Sequence, residues 1–474
     1  ATVRKRVDGD ALDTLVHTRV SANDTNFSFI LGNPPFIGSK MMTQEQRDSI
    51  VNEFANIQGS GVLDYVTGWY VKAAKFIQGT QIKVAFVSTN SIVQGEQTSI
   101  LWGQMLNKYD IKIHFAHRTF KWSNEAKGNA AVYCVIIGFA NFDTTNKTIY
   151  EYENIKGEAH EIKVTNINPY LVDAKDILIT KRSNPISNIP NMSFGNMPLD
   201  GGNLLLTVAE KNELLKNTPQ ATKFLKKVIG SHEYINNEER WCLWLIDASP
   251  TELKQMPEVL KRIDSVKKFR ESSIAPSTRK FALTPALFRD RNLPEMYIVI
   301  PGVSSERRTY IPMGLLQNDV IPTNLVHMVP NGNLYHFGIL TSLMHMAWVK
   351  NVCGRLKSDY RYSKDIVYNN YPFPENPTEK QIKAIETAAQ RVLDARLEFP
   401  NSSLADLYDP LTMPPALVKA HNDLDKSVDL AYRPQPFTSE ANRMVFLFEL
   451  YEKYTAGLFT ETKKKKKNAE TRTQ

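Results

Sequence analysis

Two consecutive prolines closing an apolar run constrain this chain more than any other feature. Phe27-Ser28-Phe29-Ile30-Leu31-Gly32 alternates and then turns apolar, which predicts a buried β-strand. Asn33-Pro34-Pro35-Phe36 ends it. Each proline fixes its own φ and pushes the residue before it out of the helical region. Neither a strand nor a helix continues through such a pair. The chain must leave the strand in a stiff loop that presents the Asn33 amide, backbone carbonyls and then an aromatic ring. The plain reading is a strand end with a Pro-Pro turn.

The same four residues also suit one chemistry, the methylation of an exocyclic amino group. A base amine is a poor nucleophile because its lone pair is delocalised into the ring. The Asn33 side-chain oxygen and the Pro34 carbonyl could accept its two hydrogens and draw the nitrogen towards sp³. The lone pair would then face a methyl sulfonium, so the site works by placed dipoles and orientation. Phe36 offers a stacking surface for a base taken out of a duplex. Asn33, Pro34, Pro35 and Phe36 together resemble the catalytic loop of amino-group DNA methyltransferases, in the form used for adenine N6.

The chain has 474 residues, of which 42% are hydrophobic, enough for two or three domains with a sizeable core. Aromatic residues at 10% argue against disorder. No apolar run reaches membrane-span length and no signal-peptide pattern stands at the start, so no membrane partner is expected. A net charge of +8 is compatible with a polyanionic partner. Cys134, Cys242 and Cys353 lie far apart, with neither metal-ligand spacing nor a disulfide framework, which fits a reducing cytoplasm. The nine histidines form no metal motif.

After the Pro-Pro loop, strands and helices alternate. Asp64 to Ile77 has helical spacing, and Lys83 to Thr89 is β-rich and leads into Asn90-Ser91. Gln97 to Asn107 predicts a helix, and Lys112–Ala116 and Ala131–Phe139 predict strands on either side of a loop. This is an α/β pattern, that of the second half of a Rossmann-like sheet. From Ile149 onward short strands, turns and prolines take over. Strands are expected at Arg240–Leu245, Met296–Pro301, Arg308–Met313 and Asn324–Val329. Helices are expected at Leu205–Leu225, Thr251–Ser272 and His336–Val352. Tyr371-Pro372-Phe373-Pro374-Glu375-Asn376-Pro377 marks a boundary, and three helical segments follow it. Lys463 to Lys467 reads as a solvated basic tail. The expected domains are 1–148, an α/β part; 149–375, an α+β part; and 376–474, a small helical part with the basic tail.

Several further segments occur in a telling order. They are Phe120-Lys121-Trp122 through Gly128-Asn129, Met197-Pro198-Leu199-Asp200-Gly201-Gly202, Arg240-Trp241-Cys242-Leu243-Trp244-Leu245, and Gly354-Arg355-Leu356-Lys357-Ser358-Asp359-Tyr360-Arg361-Tyr362-Ser363. With Tyr368-Asn369-Asn370-Tyr371-Pro372-Phe373-Pro374 they resemble, well beyond the Asn33–Phe36 loop, the C-terminal part of MmeI-type enzymes, single-chain restriction–modification proteins of the type IIG/IIL class. The resemblance covers nearly all of the chain. It implies a partial class I methyltransferase sheet at 1–148, a DNA target-recognition domain at 149–375 and a C-terminal helical domain. It implies S-adenosylmethionine as cofactor, double-stranded DNA as partner, and Mg only for a nuclease that this chain lacks. The chain looks as if it begins inside the methyltransferase. The family's Gly-containing cofactor loop is missing, so the chain is expected to be a fragment with an incomplete cofactor pocket. Asp143 with Glu161-Ile162-Lys163 superficially matches a nuclease set, but its setting predicts a hairpin.

The resemblance also gives roles to single residues. Asp10, in Gly9-Asp10-Ala11-Leu12, matches by type and order an Asp that bonds the cofactor's adenine; a solvated acidic turn is the alternative. Lys121, Trp122 and Asn129 fall where such enzymes line the pocket for the flipped base, though Trp122 could equally be core. Ser304-Ser305-Glu306-Arg307-Arg308 joins two predicted strands. Arg reads guanine bidentately, Glu accepts from cytosine and Ser is permissive, so Ser305, Glu306, Arg307 and Arg308 are candidate base readers. A salt-bridged turn is the alternative. Arg355, Lys357 and Arg361, interleaved with Tyr360 and Tyr362, suit phosphate contact, with helix capping as the rival for Arg355. Two other functions remain open: a DNA-specificity module without catalysis, and a protein glutamine methyltransferase.

Overall fold

A computed structural model of the chain describes residues 27–55, 57–122, 132–152 and 157–470. The described residues fall into two compact units. One holds those up to Arg182 together with Asn351–Ser358 and those from Ala441 onward; the other holds Ser183–Lys350 and Asp359–Glu440.

Among its described residues the first unit is built on a six-stranded mixed sheet. Its strands are β1 (Phe29–Gly32), β2 (Lys83–Thr89), β3 (Lys112–Trp122), β4 (Val132–Ala140), β5 (Lys147–Tyr152) and β6 (Ala159–Val164), in the order β1-β2-β4-β3-β5-β6. β1 and β2 run parallel, as a strand–helix–strand connection requires. β4 is antiparallel to both β2 and β3, because the short connection from β3 allows only a hairpin. β5 returns parallel to β3, and β6 folds back on β5.

The helices Thr67–Phe76 and Gly95–Asn107 supply the apolar cover of this sheet. The first buries Tyr70, Val71, Ala73 and Ala74 and the second Leu101, Trp102 and Met105, both at helical spacing. They share one core with Val84 and Phe86 of β2 and with Val135, Ile137 and Phe139 of β4. Tyr70 sits at its centre, stacked on Phe139 at 5.4 Å and edge-on to Phe86 at 5.3 Å. Its hydroxyl is satisfied by the Ser88 hydroxyl at 2.7 Å.

Two strands differ from the sequence reading. β1 is only half-buried: Ile30 packs against the core, while Phe29 and Leu31 on the opposite face are 63% and 77% exposed, because no described element covers that face. β3 does not stop at Ala116 but runs on to Trp122. Register shifts between Ile113 and Phe115 and between His117 and Phe120 let it do so, bulges that a two-residue periodicity hides. The Asp143, Glu161 and Lys163 set lies around the β5–β6 hairpin, where Asp143 pairs with Lys147 at 2.9 Å and Glu161 with Lys163.

The second unit carries β7 (Ser193–Phe194), β8 (Leu205–Leu206), β9 (Leu225–Ile229), β10 (Trp241–Leu243), β11 (Met296–Pro301), β12 (Val303–Ser304), β13 (Gly314–Gln317), β14 (Val320–Pro322) and β15 (Val326–Pro330). Eight of them form two four-stranded sheets, β14-β9-β10-β8 and β13-β11-β15-β7, and β12 belongs to neither. Expected single elements are divided here for local reasons. Pro257 begins a new helix, so Thr251–Ser272 splits into Pro250–Lys254 and Pro257–Glu271. The apolar run from His336 breaks between Leu334–Leu340 and Leu343–Val352. At that break the Thr341 and Ser342 hydroxyls each donate back to carbonyls, of Phe337 and Ile339, at 2.7 Å. Leu205–Leu225 holds β8, the helix Val208–Asn217 and a tighter turn, and no strand forms at Arg308–Met313.

The helices Glu379–Leu397 and Pro415–Tyr432 pack on the helix Leu334–Leu340. Ile385, Ala388, Ala389, Val392 and Ala395 form the buried stripe of the first. The small side chains permit close approach, and a Cβ on Gly338 would stand 2.6 Å from Ile385 Cγ2. A last helix, Glu440–Glu470, carries through the lysine run.

Candidate active site

The Asn33–Phe36 loop leaves the C-terminal end of β1, beside the parallel strand β2. That end of a parallel pair is where open α/β sheets place their ligands. Asn33 is exposed, Pro34 is buried and Phe36 is half-buried. Among the described residues the Asn33 carboxamide has no hydrogen-bond partner. Within the loop it is the Pro35 carbonyl that accepts the Ile37 N–H, at 3.2 Å. A polar group held at the end of a strand and left uncommitted is available to a ligand. Gly32 closes the strand where a side chain would crowd β2, since a Cβ there would stand 3.0 Å from the Phe86 ring.

The far end of the loop is tied down by a residue to which the sequence reading gave no role. Asp64 Oδ1 accepts the Ser39 N–H at 2.9 Å, and Asp64 Oδ2 accepts the Ser91 hydroxyl at 2.5 Å. Ser91 follows β2 and also shares a hydrogen bond with Thr89 at 2.9 Å. The Asp64 N–H is taken by Gln97 Oε1 at 2.8 Å, and the Tyr65 N–H donates to the Ile37 carbonyl at 2.9 Å. Arg47 donates to the Ser39 carbonyl at 2.9 Å. The available sequence signals were the Asp ahead of an apolar helix and Asn90-Ser91 at a strand end; neither shows that the two meet.

Lys121 and Trp122 end β3, opposite Tyr133 and Val132. Trp122 is 37% exposed and therefore not core. It continues an aromatic row on β3 and β5. Phe120 lies 6.1 Å from Trp122 and stacks on Tyr152 at 5.5 Å, and His117 stacks on Tyr150 at 4.2 Å. His117 Nδ1 is 2.9 Å from the Tyr152 hydroxyl. Burial lowers the His117 pKa and raises that of Tyr152, so both favour their neutral forms. Asn129 and Asp10 lie outside the described residues.

The candidate base readers form a tight turn in the second unit. The Arg308 N–H donates to the Ser305 carbonyl, and the Arg307 N–H to the Ser305 hydroxyl, both at 3.3 Å. Glu306 is half-buried at the turn. Arg307 reaches Asp409 at 3.3 Å. Arg308 is half-buried and donates to Ser304 Oγ at 3.3 Å, and burial lowers its pKa from the usual guanidinium value. Arg361 lies opposite Val303, just ahead of this turn, because β16 (Asp359–Arg361) pairs with β12. Arg355 and Lys357 belong to the first unit. Arg355 Nη1 donates to the Ser358 carbonyl at 3.2 Å, and Lys357 is exposed at φ +58°, the tip of a turn. Among the described residues no three His, Cys, Asp or Glu side chains converge as metal ligands, and no helix is long and apolar enough to cross a membrane.

Comparison with known proteins places these features in one family. Residues 5–151 match the family described as the MmeI DNA-methyltransferase domain, 173–375 the MmeI target recognition domain, and 377–459 the MmeI C-terminal domain. The chain is 45% identical over 429 residues to DNA methyltransferase A of Bacillus subtilis (strain 168), covering 90% of this chain and 48% of that protein. The solved structure of the type IIL restriction-modification enzyme MmeI in complex with DNA matches at a TM-score of 0.83 and 49% identity, covering 92% of this chain and 58% of that one. The chain thus spans about half the length of the relatives it matches.

Proposed function

We propose, from a chain that belongs to the MmeI family through matches to its methyltransferase, target recognition and C-terminal domains, that it is the adenine-N6 methylating and site-recognising part of a restriction–modification enzyme of the cytoplasm. The substrate is an adenine flipped out of a short site in double-stranded DNA. The observation that carries this reading is the uncommitted Asn33 carboxamide beside Pro34 at the C-terminal end of β1. S-adenosylmethionine supplies an electrophilic methyl group when bound, and Asp10 is the residue expected to touch its adenine.

The residues of this chain do the rest by position. Asn33 Oδ1 and the Pro34 carbonyl accept the two amine hydrogens and aim the nitrogen lone pair. Two fixed acceptors stabilise the developing positive charge without reorganising. Phe36 stacks on the flipped base and offsets part of its lost stacking. Lys121, Trp122 and Asn129 are the residues expected to line the pocket for the flipped base. The methylated amine loses its proton to water, so no strong base is needed. The turn Ser305–Arg308 and Arg361 read or grip the duplex, while Arg355 and Lys357 contact phosphates.

The natural protein, incubated with labelled S-adenosylmethionine and a random duplex library, tests the proposal. The expected result is label at adenine N6 within one short sequence. Sequence-selective binding without incorporation points to a specificity module, and label on protein glutamine points to a protein methyltransferase; either overturns it.

A further inference from the structure

An aspartate just ahead of a helix usually caps it. Asp64 does not. The helix Thr67–Phe76 begins at a Val66 cap with no side-chain hydrogen bond, and the Asp64 carboxylate turns away to two loops. One is the loop that follows Asn33–Phe36, gripped at Ser39; the other is the exit from β2, gripped at Ser91. Both carboxylate oxygens are engaged, and hydrogen bonds to a charged acceptor are about twice as strong as neutral ones. The backbone of Asp64 is engaged too, through Gln97 on its N–H and the Thr67 hydroxyl, at 2.8 Å, on its carbonyl. The clamp therefore stands on a fixed base.

Between Phe36 and Ser39 there is no regular secondary structure to transmit order to Asn33. The loop has one stiff end, the prolines, and one end that would swing without a tether. The tether is Asp64, supported by the Tyr65 N–H on Ile37. We propose that Asp64 is a positioning residue for the methyl transfer: it locks the Asn33–Phe36 loop to the Thr89–Ser91 exit of β2, so that the amine acceptors keep a set distance from the rest of the pocket. This rests on the function proposed above. It assigns Asp64 no contact with the substrate; its effect passes through Ser39 and Ser91.

The test compares Asp64→Ala, Asp64→Asn and Ser91→Ala in the natural protein. Hydrogen exchange of the 33–42 segment reads the clamp, and single-turnover methylation together with DNA affinity reads its consequence. Asp64→Ala should expose the Ser39 amide to exchange and slow methylation about 100-fold, the scale of a 1 Å misplacement, with DNA affinity held. Asp64→Asn keeps one acceptor and should fall between Asp64→Ala and the parent, and Ser91→Ala should reproduce part of the loss. Unchanged exchange in Asp64→Ala overturns the clamp. Faster exchange with an unchanged methylation rate overturns the positioning role and leaves the proposed function standing. A parent protein that methylates no duplex overturns both. Loss of rate and of global protection together, without intermediate behaviour in Asp64→Asn, marks Asp64 as a folding residue and overturns the proposal.

Discussion

Gly95 and Gly354 meet backbone against backbone: a Cβ on Gly95 would stand 3.0 Å from the Gly354 Cα. Gly95 opens the helix Gly95–Asn107 at φ +62°, four residues after Ser91. The contact seats the segment Asn351–Ser358 on the unit that carries the Asn33 loop. It also gives two glycines in the same contact different tolerances. Gly95→Ala combines a left-handed conformation, costing about 1–2 kcal/mol, with a clash against backbone that no side-chain rotation relieves. It should lower the thermal midpoint measurably. A Cβ on Gly354 meets Gly95 Cα at an ordinary 3.7 Å, so Gly354→Ala should leave the midpoint nearly unchanged. Equal losses in the two variants would contradict the described contact.

Asn33→Ala should nearly abolish methylation of the recognised site while leaving duplex binding largely intact. Removing one placed acceptor of a transition-state charge costs on the order of a hundredfold or more in rate. Asn33 is exposed and its amide makes no hydrogen bond among the described residues, so the substitution should not unfold the loop. Rate and affinity measured side by side decide it: a parallel fall in both means that Asn33 holds structure rather than the amine.

The Met197–Gly202 segment, conspicuous in the sequence, is anchored by a residue far from it in the chain. Arg270 is fully buried and donates to the carbonyls of Pro198, Leu199, Phe281, Thr284 and Leu287 at 2.8–3.0 Å. Among the described residues no carboxylate pairs with it directly, and burial lowers its pKa from the guanidinium norm, yet its donors are spent on carbonyls. Arg270→Met should strand these five acceptors at about 1 kcal/mol each, a total of about 5 kcal/mol. Urea unfolding of the variant should show that loss, and Arg270→Lys, with three donors, should recover only part of it.

What the sequence displays and what it hides divide along a physical line. The Pro-Pro loop was legible because proline stereochemistry is local. The helix stripes around Tyr70 and Ile385 were legible because their periodicity is local too. The β3 bulges were not, since a bulge preserves composition and breaks only the phase. The helix breaks at Pro257 and at Thr341-Ser342 were passed over where apolar spacing resumed on the far side. Asp64 was visible as a residue but not as a link, because its two partners lie 25 and 27 residues away. Arg361 gained its place opposite Val303 only through the pairing of β12 with β16, which no local pattern encodes.

The Ser305–Arg308 turn and the Lys357 tip should fail in different ways. Arg308 is half-buried, with its guanidinium oriented by Ser304 Oγ, which suits a directional contact to a base edge. Replacing it with Ala should relax or change one base of the recognised site, at a cost of about 1–3 kcal/mol at that position. Arg307, already paired with Asp409, should have a smaller effect. Lys357 stands exposed at a turn tip, where a mobile ammonium serves as a point charge on phosphate. Lys357→Ala should weaken all duplexes alike and reduce the salt slope of binding by roughly one. Methylation of a site library by each variant at two salt concentrations separates the cases. Uniform weakening by Arg308→Ala together with altered site choice in Lys357→Ala would mean the two roles are exchanged. If neither variant has an effect, the reading surface lies elsewhere on the recognition unit, with the exposed Phe194 and Leu325 beside Asn324 as the next residues to replace.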